Sequence, residues 1–257
     1  MLRLNVRFPP IADTGEDAQC RFMISRRTMF TLVGVTAGLL STSPVAAEDL
    51  GGIGPAILAA GFDPATFFRG DGGRDPSAIR IVYSDQYRRP IYSIAFQEGC
   101  LKEETRSEVC RTRLTARMVR APAPYPRANA RERSLQLARG LVRRRATSRA
   151  AIRSALPAMR LEWMQADVRT CPGALKGLSQ ASALAWLPRA IDQPRSPDDR
   201  RIWIDADEVT VTFYYYPTLS TSSGVPIEGS PGAWAKELAE ALEPCWTKAE
   251  ARPPWTR

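Results

Sequence analysis

The sequence predicts an α+β domain: an antiparallel sheet of about five or six strands packed with three helices and stapled by two disulfides. Three observations carry this expectation. Short β-branched, aromatic or alternating runs bounded by turn residues recur at 79–84, 91–97, 110–118, 161–168, 202–204 and 209–216. Segments with apolar residues at helical spacing stand apart from them, at 131–156, after Cys171, and from Pro231 to the stop at Pro244. Four cysteines remain once the amino-terminal segment is set aside, an even number that suits disulfide staples in an exported chain.

Residues 48–76 are punctuated by glycine and proline. Positions 55–60 support one or two helical turns, with Gly61 as the stop. The run Gly-Asp-Gly-Gly-Arg-Asp-Pro at 70–76 reads as a loop, because no strand precedes its glycines and no helix clearly follows, as a phosphate cradle requires. Tyr87-Arg88-Arg89-Pro90 is the turn between the first two strands. In the third, from Cys110, Thr112, Leu114, Ala116 and Met118 alternate with Arg111, Arg113, Thr115 and Arg117, which predicts one buried and one charged face. A competing signal, the capping-box pattern Thr105-x-x-Glu108, would make a helix there. The strand is preferred because it brings Cys100 and Cys110 to the ends of one hairpin.

Ala121 to Pro126 alternates with proline and forms a stiff linker. A helix over 131–156 follows, with Leu137, Leu141, Ile152 and Leu156 among its apolar positions and Pro157 as its end. Cys171-Pro172 opens the next helix, since proline suits the first helical position, and Leu175, Leu178, Ala181 and Ala185 line its face. Ser222, Ser223, Gly224 and Gly229 belong to a loop. The last helix has Ser230 as N-cap, Pro231 at its first position and Pro244 as its stop. Cys171 and Cys245 thus flank helix ends, and the expected pairs are Cys100–Cys110 and Cys171–Cys245. Nothing has the spacing of a Cys-x-x-Cys redox or zinc site.

Residues 23–47 read as an export signal: Arg26 and Arg27, a mildly apolar stretch at 29–40, then Ser-Pro-Val-Ala-Ala at 43–47. Ser25-Arg26-Arg27-Thr28-Met29-Phe30 resembles the twin-arginine export motif, Ser-Arg-Arg-x-Phe-Leu-Lys. The serine and the arginine pair match, the phenylalanine falls one place late, and Thr31 takes the place of the lysine. The resemblance spans about 25 residues and implies a route across a membrane, not an activity; the general secretion route is the alternative. The apolar run is shorter than the ~20 residues a spanning helix needs, so no transmembrane helix is expected after cleavage. Residues 1–22, with Pro9-Pro10, Asp13, Glu16 and Asp17, make a poor leader, and the expectation is a misplaced start with translation from Met23. The product would be a single periplasmic or secreted domain, 48–257.

Composition narrows the chemistry. Of 36 basic side chains 31 lie beyond residue 47, and of 27 acidic ones 24, a net charge of +7. Histidine is absent. Histidine-activated serine or cysteine nucleophiles, and every His-ligated zinc or haem site, are therefore excluded. No cofactor or metal is expected. Three groupings could carry function. Between Arg106 and Arg160 there are 15 arginines against Glu108 and Glu132. Within that tract Arg143, Arg144, Arg145 and Arg149 are the candidate anion-binding residues, for an anionic lipid, an acidic glycan or an envelope protein. Tyr125 is the tract's sole aromatic, so base stacking has no platform and nucleic acid is not the expected partner. Asp205, Asp207 and Glu208 are candidate carboxylates for Ca²⁺ or acid/base work, against a plain acidic turn. Tyr214, Tyr215 and Tyr216, with Trp203 and Phe213, would put one aromatic face in the core and one outside. The expected function is non-catalytic binding of an anionic or protein partner in the envelope; the alternative is a carboxylate-dependent hydrolase acting on a glycan.

Overall fold

The computed structural model describes residues 50, 52–69, 78–100, 112–181, 206–215 and 218–256. Alternating side chains form the strands β1 (Ile79–Ser84), β2 (Pro90–Cys100), β3 (Thr112–Arg120), β4 (Glu162–Asp167) and β5 (Glu208–Tyr215). Two more follow, β6 (Thr218–Gly224) and β7 (Thr247–Lys248). They make one antiparallel sheet in the order β6-β5-β1-β2-β3-β4-β7. Among the described residues the sheet thus has seven strands rather than five or six. The two unexpected ones are its edges. β6 was expected as loop because its Ser/Thr/Gly composition carries no apolar alternation, and β7 is two residues long.

Register places Val211, Ile81, Ile94, Met118 and Met164 in one row across five strands, all on the first face. The helices α4 (Ala174–Ser179) and α5 (Pro231–Leu242) cover this face, with Trp234, Ala235, Leu238 and Leu242 buried against it. Trp234 donates its indole N–H to the Gly177 carbonyl, so the one polar atom of a buried side chain is satisfied. On the second face Ala95, Val119 and Trp163 meet α1 (Gly54–Ile57), α2 (Ala130–Arg143) and α3 (Arg149–Ala155). A π-type turn, Leu58–Phe62, joins this layer, and Trp163 packs edge-on to both Phe67 and Trp255. The architecture is therefore three layers, with helices on both faces of the sheet.

The double cover corrects the expectation for β3. Its Arg117 does not lie on a charged, solvated face. The side chain is 8% exposed, donates to the Phe67 carbonyl and stacks over the Phe68 ring. An arginine tolerates this position because its stem packs while its planar head finds a carbonyl and an aromatic face.

The helices also differ from the three expected: five are found among the described residues. The 131–156 segment is two helices. Asn129 and Glu132 form a reciprocal capping box that starts α2, and Arg145, at φ 56°, ends its last turn. Ser148 then caps α3 through the Ala151 N–H. After Cys171 the helix does not begin on Pro172. Gly173, at φ 85°, is its N-cap, a conformation other residues rarely adopt, and the helix ends by Ser179. Gly61 lies inside the π-type turn rather than stopping a helix, and a Cβ there would meet the Leu156 side chain. The last helix is as expected, with the Ser230 hydroxyl accepting from the Ala233 N–H. The expected strand at 202–204, the Thr105-x-x-Glu108 signal and residues 1–49 lie outside the described residues.

Cys171 and Cys245 are bonded, as expected, and join the entry to α4 with the exit from α5. This is one disulfide among the described residues; Cys110, the expected partner of Cys100, lies outside them. The bond spans 74 residues of chain. By loop-closure entropy it stabilises the fold by about 4 kcal/mol. Denaturant unfolding of a C171A/C245A variant should show a loss of that order, with the midpoint of the oxidised wild type falling to match on reduction.

Candidate functional site

Three polar regions stand out against the apolar layers. The first lies at one end of the sheet. Register sets Tyr83, Tyr92, Arg120 and Glu162 in a row on the first face. Tyr83 and Tyr92 stack with centroids 5.1 Å apart. The Tyr83 hydroxyl donates to Asp207 Oδ2 at 3.0 Å, and Arg131 donates its Nε–H to Asp207 Oδ1 at 2.8 Å. Arg120 binds Glu162 through its Nε–H and Glu243 through its terminal nitrogen. Arg133 reaches the other Glu162 oxygen at 3.8 Å. Both Arg131 and Arg133 come from the first turn of α2, so this network ties the second layer to the sheet end and to α5.

Every carboxylate of this region is matched by a guanidinium. Burial, then the bonded Asp207 carboxylate, holds the Tyr83 phenol above its usual range; burial and the adjoining Tyr83 raise Tyr92 as well. For Arg120, burial works against the charge and is outweighed by the bonds to Glu243 and Glu162. Asp207 is thus a structural acceptor between Tyr83 and Arg131. Glu208 opens β5 one residue later, where alternation turns it to the face of Thr210. The two carboxylates do not converge, and Asp205 lies outside the described residues. Among the described residues no three acidic or cysteine side chains come together as a metal site would need.

The second region is a groove of about 280 Å³ between the π-type turn and the strands β1 and β5. Pro55, Leu58, Pro64 and Val82 form its apolar wall; Asp63, Arg80, Thr210 and Thr212 supply the polar groups. Asp63 is committed to the Ala65 N–H at the head of a 3₁₀ turn. Burial lowers the Arg80 guanidinium below its usual range, with Asp63 opposing. Thr210 and Thr212 pair with Ser223 and Thr221 of β6, at 2.8 and 3.2 Å. Sequence reading missed this groove because its residues come from four separate segments and share no spacing.

The third region is the corner between α2 and α3. Arg143, Arg144, Arg145 and Arg149 are all exposed, and so are Arg139 and Arg160. Arg139 and Arg143 lie one turn apart on α2, Arg144 and Arg145 end it, and Arg149 begins α3. Among the described residues none of the six has an ion-pair partner. The only acid of this helix pair, Glu132, sits at the far end of α2 in the capping box. Of the aromatic cluster, Phe213 is core, 5.7 Å from Trp234, and Tyr214 lies on the opposite face of β5. Trp203 and Tyr216 lie outside the described residues.

Comparison of the chain with family models, with characterised proteins and with solved structures gives no match. Among the described residues no helix is long and apolar enough to cross a membrane.

The tyrosine pair gives an alkaline signature. An unfolded tyrosine loses its proton at a pH of about 10. In the folded chain Tyr83 and Tyr92 keep theirs to higher pH, so the folded state holds more protons than the unfolded one there. Their contribution is fully present below pH ~10 and is lost as pH rises through the folded values. Stability measured by urea titration should fall above that pH, and less steeply in a Y83F/Y92F variant.

Proposed function

We propose that this chain is a non-catalytic binding domain of the cell envelope that attaches through the α2–α3 corner to an anionic surface. One observation carries the reading: five exposed arginines, Arg139, Arg143, Arg144, Arg145 and Arg149, follow one another along the end of α2 and the start of α3 with no ion-pair partner among the described residues, whereas Arg89, Arg120, Arg131 and Arg133 each meet a carboxylate. Exposed, uncompensated guanidinium groups hold a positive potential outward and bind fixed negative charges at low ionic strength. Lipid head groups and acidic glycans share that chemistry. Export and a periplasmic or secreted location rest on Arg26, Arg27 and the small residues at 43–47. The absence of histidine and the separate directions of Asp207 and Glu208 favour binding over hydrolysis.

The test is sedimentation with vesicles containing phosphatidylglycerol, and a parallel titration with alginate, at rising salt. Binding to one or both should weaken as the screening length shrinks. Near an anionic surface each arginine contributes about 1 kcal/mol. The variant R143A/R144A/R145A/R149A should therefore lose affinity by roughly 10³-fold at low salt while keeping its thermal midpoint. Unchanged binding by that variant, or no binding to either probe, would refute the reading.

A further inference from the structure

We propose that the chain forms a twofold dimer by antiparallel pairing of β6 with β6 of a second copy. The two edges of the sheet differ in the way that decides this. β7 has two residues, one of them Lys248, and is thereby poorly suited to adding a strand. β6 has seven, Thr-Leu-Ser-Thr-Ser-Ser-Gly, with no charge and no proline. It pairs with β5 without a register shift from Val209↔Gly224 to Tyr215↔Thr218. A bulge, a proline or an inward charge is how natural sheets blunt an edge, and β6 has none of them. Among the described residues its outer side has no strand neighbour. Leu219, Ser220, Thr221 and Ser223 are exposed. A straight, uncharged edge presents a row of open N–H and C=O groups that a further strand completes.

A second copy fits that edge for two reasons. The chain carries a formal charge of +9, so two copies repel over most approaches; β6 is an uncharged strip where they can meet. The strand is also self-complementary. An antiparallel register centred on Thr221 is the one that pairs all seven residues. It sets Leu219 opposite Ser223, Ser220 opposite Ser222, and Thr221 opposite its own counterpart. The Thr212–Thr221 and Thr210–Ser223 hydroxyl pairs already show this face joining strands hydroxyl to hydroxyl. The result is one continuous sheet across an isologous interface. Because the dyad of an antiparallel pair stands perpendicular to the sheet, both α2–α3 corners face the same side. The dimer does not rest on the anion-binding reading, but would double that contact without new chemistry.

The experiment is light scattering on the full chain together with cysteine cross-linking under oxidation. Opposed residues of an antiparallel pair have Cα atoms about 4.5–5.5 Å apart, within disulfide reach. T221C should therefore give a covalent dimer on a non-reducing gel. S223C should not, since its own counterpart lies four residues away, about 13 Å. The wild type should scatter as a dimer. S220K/S222K places two like-charged pairs across the dyad and should raise the dissociation constant about tenfold, with an unchanged circular dichroism spectrum. A monomer mass for the wild type, or T221C and S223C cross-linking equally, overturns the proposal. So does a dissociation constant that S220K/S222K leaves unchanged, or T221C cross-linking only to a different protein.

Discussion

The hairpin between β1 and β2 is closed by a buried ion pair on which the rest of the sheet depends. Asp85 and Arg89 are 2% and 8% exposed, with the guanidinium 2.6 Å from the carboxylate. The same carboxylate accepts the backbone N–H groups of Tyr87 and Arg89, so one side chain fixes both the turn and its charge. Removing either partner would leave an uncompensated charge, a loss of about 3–5 kcal/mol. The position magnifies the effect. β1 and β2 are central strands, and every other strand pairs outward from them. Gly54 of α1 packs on the Arg88 carbonyl so closely that a Cβ there would collide with it. The second helical layer is thereby seated on the same turn.

From that hairpin outward, the sheet solves a problem that antiparallel sheets usually avoid. One face is commonly left to water, which lets polar residues alternate freely. Here both faces of the central strands are covered, so polar side chains between the layers must find partners in place. Arg117 does so with a carbonyl and a phenyl ring. The sheet end does so with guanidinium–carboxylate pairs drawn from α2, β3, β4 and α5. Where layers meet, charge is paired in place, and the exposed arginines at the end of α2 and the start of α3 have no such pair among the described residues.

This division also explains what could be read from the chain beforehand. β1, β2, β4, β5 and α5 were legible because their apolar residues face a core and obey its period. The pairing of Cys171 with Cys245 was legible because both cysteines flank helix ends. β6 was not, since Ser220, Ser222 and Thr221 gain nothing from a core; their strand is held by β5 and by hydroxyl pairs, which leave no hydrophobic trace. Nor was the break at Arg144 to Thr147, because Leu137, Leu141, Ile152 and Leu156 stay on one apolar side while the backbone reverses. Arg117 misled for the opposite reason: an arginine in an alternating strand signals water unless a second layer, far away in sequence, arrives to cover it. The groove beside Asp63 and Arg80 had no sequence signal, since it exists only where four segments converge.

Carboxylates already held by guanidinium groups are poorly placed for hydrolysis. A hydrolytic pair needs two carboxylates facing one space, held in different environments so that one keeps its proton and the other does not. In this chain Asp207 answers to Tyr83 and Arg131, Glu162 and Glu243 answer to Arg120, and Asp85 answers to Arg89. Each is occupied in holding layers together, and each would need to leave a guanidinium to act as acid or base. The arginines at 139, 143, 144, 145, 149 and 160 carry no such duty.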